Sequence, residues 1–261
     1  MIRKFFITII GVVIALIVST FYLFWNVYGG FDFVWANRNL SIQPREKVEI
    51  SELKKPTVKL GSKIVKIPDK EIPKSFKLTV PYTMQAPFGG NQWYVYLYNN
   101  ACEEASYLMA RLYKEKKTSI TAKEADSTIV DMVNFEKKLF GGHIDLTIGE
   151  LAEFIEEYDG YKPVVKYNIS VDDIKQEIAA GRPVIVPAAG RMLKNPHFRG
   201  IGPYYHMLLI TGYTPTTFIT NDPGTRVGKD YVYGRDILMN AIHDFKKKNI
   251  EDNRGVMLVL K

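Results

Sequence analysis

The pattern of hydrophobic and polar positions divides this chain into three parts. Residues 5–25 carry no charge, and the next charge after Lys4 is Asp32. At about 1.5 Å per residue such a run makes a helix of roughly 31 Å, matching a hydrocarbon core of about 30 Å. Residues 31–76 are rich in charge, contain Pro44, Pro56, Pro68 and Pro73, and hold no sustained apolar period, as expected of a spacer. From residue 77 to residue 261 the pattern becomes that of a folded domain. Residues 80–85 (VPYTMQ) predict a short strand that enters the loop APFGGNQW. Beyond Cys102, the residues Ala105, Leu108, Met109 and Leu112 share one face at helical spacing. Thr121 with Glu124 forms a capping box for a second helix reaching residue 139, and Thr147 with Glu150 repeats it for a third ending near residue 158. Ser170 caps a fourth, which stops at Gly181.

The period then changes. Residues 183–188 (PVIVPA) read as a buried strand, and residues 204–213 (YYHMLLITGY) with 216–220 (TTFIT) read as a hairpin around Thr214 and Pro215. Residues 231–233 and 255–260 supply further strands, with a helix over 235–246 between them. Helices precede strands, so the expected class is α+β, a helical lobe packed on an antiparallel sheet and preceded by one transmembrane helix.

Composition adds the surroundings. The chain has 261 residues, 46% hydrophobic and 24% charged, an ordinary globular balance. Its net charge of +7 suits anionic surroundings such as a phospholipid surface or wall polymers. Zinc-finger spacing, a glycine-rich phosphate loop and aromatic-basic interleaving are all missing, so nucleic acid is not an expected partner. Arg3 and Lys4 precede the apolar run, which favours a cytoplasmic N-terminus. The run passes into FYLFWNVYGGFDFVW without a small-x-small cleavage site, so residues 1–30 read as an uncleaved signal anchor. Trp25, Tyr28 and Trp35 suit the far membrane interface. The expected location is the cell membrane, single-pass, with the domain outside the cytoplasm.

Cys102 is the only cysteine, so an intrachain disulfide is excluded. It opens a helix after Asn99 and Asn100, either of which is a candidate cap. A helix start favours the thiolate, the nucleophilic form. Glu103 and Glu104 oppose it, and a small core residue is the alternative reading. A nucleophilic thiol needs a base and an orienter. His206 lies in the strand YYHMLLITGY, and Asp222 ends the next strand in ITNDPGT. If those strands pair, Asp222 comes beside His206 and fixes its tautomer. The alternatives are a histidine bonded to a carbonyl and an Asp-Pro-Gly turn.

Taken together, VPYTMQAP, then ACEEAS opening a helix, then YYHMLLITGY, then ITNDPGT resembles the papain-like cysteine peptidases of the double-glycine leader (bacteriocin-processing) type, family thirty-nine. It is most similar to their stand-alone, often secreted or membrane-anchored members, over residues 78–260. The resemblance implies a papain-like fold with Cys102 as nucleophile, His206 as general base and acid, Asp222 as its orienter, and Gln85 as an oxyanion donor beside the Cys102 N–H. Many members carry glycine where this chain has Glu103. The wide gap from Gln85 to Cys102 leaves Asn91 and Gln92 as alternatives for the oxyanion role.

Around that site, the long loop 190–203 carries Arg191, Asn195, His197 and Arg199 and leads into the His206 strand. Asn195 and His197 are candidate substrate contacts, with Trp93 as the opposite wall or a core residue. His143, His197 and His243 make no metal-ligand pair and read as structural or solvent-facing. No metal or organic cofactor is expected. The function implied is an outward-facing thiol hydrolase that cleaves peptide or protein substrates through an acyl-enzyme. Alternatives are a cell-wall peptide hydrolase with the same site and a non-catalytic binding module on this scaffold. Oligomeric state is not encoded in any pattern of the chain.

Overall fold

The computed structural model describes residues 72–244 and 255–261. The expected anchor (1–30) and nearly all of the spacer (31–76) lie outside the described residues, as do the last two residues, 245 and 246, of the predicted 235–246 helix, which ends earlier than expected, at Ala241. Among the described residues no helix is long and apolar enough to cross a membrane.

The sheet forms because its central strands are apolar on both faces. Strands β3 (Val184–Ala189) and β4 (Tyr205–Tyr213) are buried at every position. Antiparallel pairing continues outward through β5 (Thr217–Asn221) and β6 (Tyr231–Gly234) on one side, and β7 (Val256–Leu260) and β2 (Pro163–Tyr167) on the other. A short β1 (Phe76–Lys77) pairs with the end of β4. The β4–β5 hairpin turns at Thr214, whose N–H donates to the Thr217 carbonyl at 2.9 Å. Its return brings the end of β5 back toward the start of β4, with Asn221 opposite Leu209. That pairing carries Asp222 toward His206.

Six helices accompany the sheet: α1 (Tyr96–Asn99), α2 (Cys102–Lys114), α3 (Ala122–Phe140), α4 (Ile148–Asp159), α5 (Val171–Ala179) and α6 (Arg235–Ala241), counted among the described residues. Thr121, Thr147 and Ser170 each form a full capping box. Such a cap contributes about 1 kcal/mol. Gly141 and Gly160 end α3 and α4 in the left-handed region, at φ 80° and 69°. Helix α2 is the central one. Ala105, Leu108, Met109 and Leu112 are buried as expected, and Ser106 Oγ donates to the Met207 carbonyl of β4 at 3.1 Å. This bond ties the Cys102 helix to the His206 strand.

Several expectations need correction. Residues 80–85 form no strand. Their bonds go to the end of β5 and the loop after it instead: Gln85 N–H donates to the Pro223 carbonyl, and Asn221 Nδ2 reaches the Val80 and Pro81 carbonyls. Pro81 has no N–H for a ladder. Neither Asn99 nor Asn100 caps α2. Ala101 holds the N-cap position without a side-chain bond, and Asn100 Nδ2 turns back to the Tyr96 carbonyl. Strand β2 was not foreseen, because an edge strand beginning with proline and alternating in burial shows little apolar signal.

Candidate active site

The start of α2 and the start of β4 meet at a cleft of about 350 Å3, lined among others by Gln85, Trp93, Cys102, Asp145, Phe198, Arg199 and His206. A larger hollow of about 690 Å3 lies elsewhere, around Tyr113, Arg182 and Lys261, and holds neither cysteine nor histidine. The candidate cysteine and histidine line the smaller one.

Asp222 is fully buried. Its Oδ1 accepts from His206 Nε2 at 2.8 Å and from the Gly224 N–H at 2.9 Å. Its Oδ2 accepts from the Tyr233 hydroxyl at 2.6 Å and from Asn195 Nδ2 at 3.4 Å. Burial alone would raise this carboxyl. The facing His206, with the bonds from His206, Tyr233 and Gly224, reverses that and holds it below the ordinary value. An ionised Asp222 keeps the proton of neutral His206 on Nε2, which leaves Nδ1 as a proton acceptor. The ring itself is clamped. Phe198 meets it edge-on at 5.3 Å, and Gly224 lies against its other parts so closely that a Cβ there would stand 2.7 Å from Cε1.

Two expected outcomes follow from this clamp. Gly224→Ala pushes the imidazole off its 2.8 Å bond, because Phe198 would also lie 3.1 Å from the new methyl. A displacement on this scale should lower any turnover that depends on His206 by about 100-fold, with the melting temperature as control. The second concerns acid. In the unfolded chain Asp222 titrates near the usual ~3.9, above its folded value, so between the two the unfolded state binds more protons. The contribution is present above about pH 4 and is lost as pH falls through the lowered folded value. Calorimetry from pH 5 to pH 2 therefore shows a flatter fall in melting temperature for Asp222→Asn than for the wild type.

Cys102 is 4% exposed. Its thiol donates to Glu103 Oε2 at 3.0 Å, while Glu103 Oε1 accepts the Leu146 N–H at 3.1 Å. Burial raises the thiol's pKa, and the charges of Glu103 and Asp145 raise it further. The Met207 N–H pulls weakly the other way. Thus the helix-start field expected from the sequence is outweighed by burial and two carboxylates, and the resting group is a thiol. Glu103, not Gly, at this position is what supplies its hydrogen-bond partner.

The other candidates divide. Gln85 lines the cleft, with Nε2 donating to the Tyr98 and Asn99 carbonyls at 2.9 and 3.0 Å and Oε1 buried without a partner. Gln92 faces away, bonding Asp126 through Nε2 and the Phe88 N–H through Oε1. Asn91 is exposed. Trp93 lines the cleft. Asn195 does not: it is buried behind the His206–Asp222 pair, holding the Tyr233 hydroxyl at 2.7 Å and capping the His197 N–H. Its role is to support Asp222, since a buried amide must satisfy its bonds where the chain leaves it. His197 lines an adjoining hollow of about 480 Å3 that shares Trp93, Arg199 and Gly224 with the cleft. His143 and His243 are buried, so neither is solvent-facing. The sequence reading missed Tyr233, Phe198, Gly224 and Asp145. Tyr233 lay in a recognised strand and Gly224 in the quoted ITNDPGT, but no spacing rule connects either to His206.

Comparison with known proteins places the domain. The model of the Peptidase_C39 like family matches residues 77–248. A crystal structure described as a C39-like peptidase from Bacillus anthracis is 13% identical, aligning over 72% of this chain and 98% of that one with a TM-score of 0.45. No curated protein matches.

Proposed function

Since the chain belongs to the Peptidase_C39 like family, we propose that it is a cysteine peptidase of papain-like fold, anchored in the cell membrane by residues 1–30 with its domain outside the cytoplasm. The observation that carries the reading is that His206, held at 2.8 Å by the buried Asp222, lines one cleft with the chain's single thiol. Support for the anchor comes from the uncharged residues 5–25 behind Arg3 and Lys4.

In this mechanism the thiol first turns from Glu103 toward His206. Nδ1 takes its proton as Sγ bonds to the carbonyl carbon of a peptide. The C–N bond then breaks, and His206 returns the proton to the leaving amine. Water, deprotonated by His206, cleaves the thioester and restores the thiol. The Cys102 N–H is one of the first-turn groups a helix leaves unpaired, and it is the first oxyanion donor. Gln85 is the second, once it releases the Asn99 carbonyl. Gln85→Ala then lowers kcat by about 100- to 1,000-fold, the usual effect of losing one such donor, with KM little changed. Full kcat in that variant places the second donor elsewhere.

The decisive experiment treats the full chain, purified in detergent, with an acyl-electrophile probe and locates the adduct by mass spectrometry. The expected result is an adduct on Cys102 that nearly disappears in His206→Ala. No adduct on Cys102 in the wild type would overturn the proposal. One observation favours a non-catalytic binding module: the thiol's bond to Glu103 and its raised pKa. Equal, slow labelling of both proteins would select that reading.

A further inference from the structure

Among residues that do not line the cleft, three ionisable side chains meet in the interior. Glu104 lies on α2, Glu136 on α3, and His143 in the loop that follows α3. Their side chains are 2%, 1% and 2% exposed. His143 Nε2 stands 3.4 Å from Glu104 Oε1 and 3.6 Å from Glu136 Oε2. Both nitrogens of His143, both carboxyl oxygens of Glu104 and Oε2 of Glu136 make no hydrogen bond of good geometry, although the Glu104 and Glu136 carboxyls lie within reach of each other and His143 lies beside the Asn100 backbone. Glu136 Oε1 accepts the Ile144 N–H at 2.8 Å. Buried polar atoms in this number are ordinarily satisfied, because each lost partner costs about 1–3 kcal/mol.

We propose that Glu104, Glu136 and His143 form a site for one divalent transition-metal ion of the zinc class, which ties the Cys102 helix to the loop carrying Asp145. One donor atom from each residue falls within 4.8 Å of the others. Bonds of about 2.0–2.2 Å in a tetrahedron require donor–donor edges of about 3.4 Å, close to both histidine distances. One imidazole and two carboxylates fit zinc or its neighbours, whereas calcium takes about 6–8 oxygens. Two carboxylates also balance the charge of a divalent ion, which a neutral histidine does not. The ion's place in the fold gives it an effect on the cleft. It joins α2 two residues after Cys102 to a loop in which Asp145 lines the cleft and Leu146 holds Glu103. The site is independent of any thiol chemistry. Its signal in the sequence is a glutamate on the apolar stripe of α3, where Ala125, Ile129, Met132, Val133 and Glu136 are all buried.

The full chain, purified in detergent and stripped with a chelator, is titrated with zinc chloride by calorimetry and examined by zinc-edge X-ray absorption. One site with Kd below about 1 μM is expected, and zinc at about 100-fold excess over Kd raises the melting temperature by about 5–10 °C. The absorption spectrum should show nitrogen and oxygen at about 2.0–2.1 Å and no sulfur at about 2.3 Å. Cys102→Ala keeps the site, and Glu136→Gln weakens it by at least about 100-fold. Failure of the folded wild type to bind zinc overturns the proposal. So does sulfur in the shell, or binding that survives Glu136→Gln but not Cys102→Ala, since either assigns the ion to the cleft thiol. Should Glu136→Gln not fold, the wild-type absorption spectrum decides alone.

Discussion

Cys102→Ala is expected to reduce peptide turnover by about 10,000-fold or more, leaving only what substrate positioning contributes. The size follows from the role. An acyl-enzyme needs a nucleophile, and no second thiol exists in the chain to replace this one. Stability should change little. Alanine removes one buried sulfur, a change comparable to one methylene at about 0.8 kcal/mol. It also removes the partner of Glu103 Oε2, while Oε1 keeps its bond to the Leu146 N–H. Turnover should therefore vanish while the melting temperature stays within a few degrees of the wild type. Turnover equal to the wild type would dismiss the thiol from the chemistry.

Asp222→Ala carries the largest expected loss of stability, about 3–5 kcal/mol. The substitution leaves the His206 ring, the Gly224 N–H, the Tyr233 hydroxyl and Asn195 Nδ2 without their acceptor in a fully buried place. Unpaired donors of that kind retain their desolvation penalty in full. For a domain of this size the loss amounts to about 6–20 °C in melting temperature. Asp222→Asn should be milder, because its one remaining oxygen can still accept from both His206 and Gly224. Calorimetry on the two variants checks the order. An alanine variant as stable as the wild type would mean that these contacts are not held in solution.

Much of this arrangement was legible in the sequence because local rules carry it. The capping boxes at Thr121 and Thr147 predicted two helix starts, since both partners of each lie within one turn. The hairpin brought Asp222 toward His206 because strand pairing across a short turn is nearly a local event. Where the reading went astray, long-range packing was responsible. Residues 80–85 have the composition of a strand, but their backbone groups are taken by the end of β5 and the loop after it. Asn195 was read as a substrate contact from its loop, yet the loop folds inward and buries it against Tyr233.

Cys102 shows the boundary most sharply. That a helix begins there, with an imidazole and a carboxylate on a later hairpin, is set by periodicity and turn chemistry within the chain. The state of its thiol is not, because solvation and charge depend on everything packed around a group. Asp145, 43 residues on from Cys102, and Met207, 105 residues on, act on that thiol only after the chain has closed. The same holds for Glu104, Glu136 and His143, whose meeting no spacing announces. Sequence alone determined the main helices and the central hairpin and their order; the fate of residues 80–85, the edge strand β2 and burial, which fixes how strongly charges interact, came only with the tertiary structure.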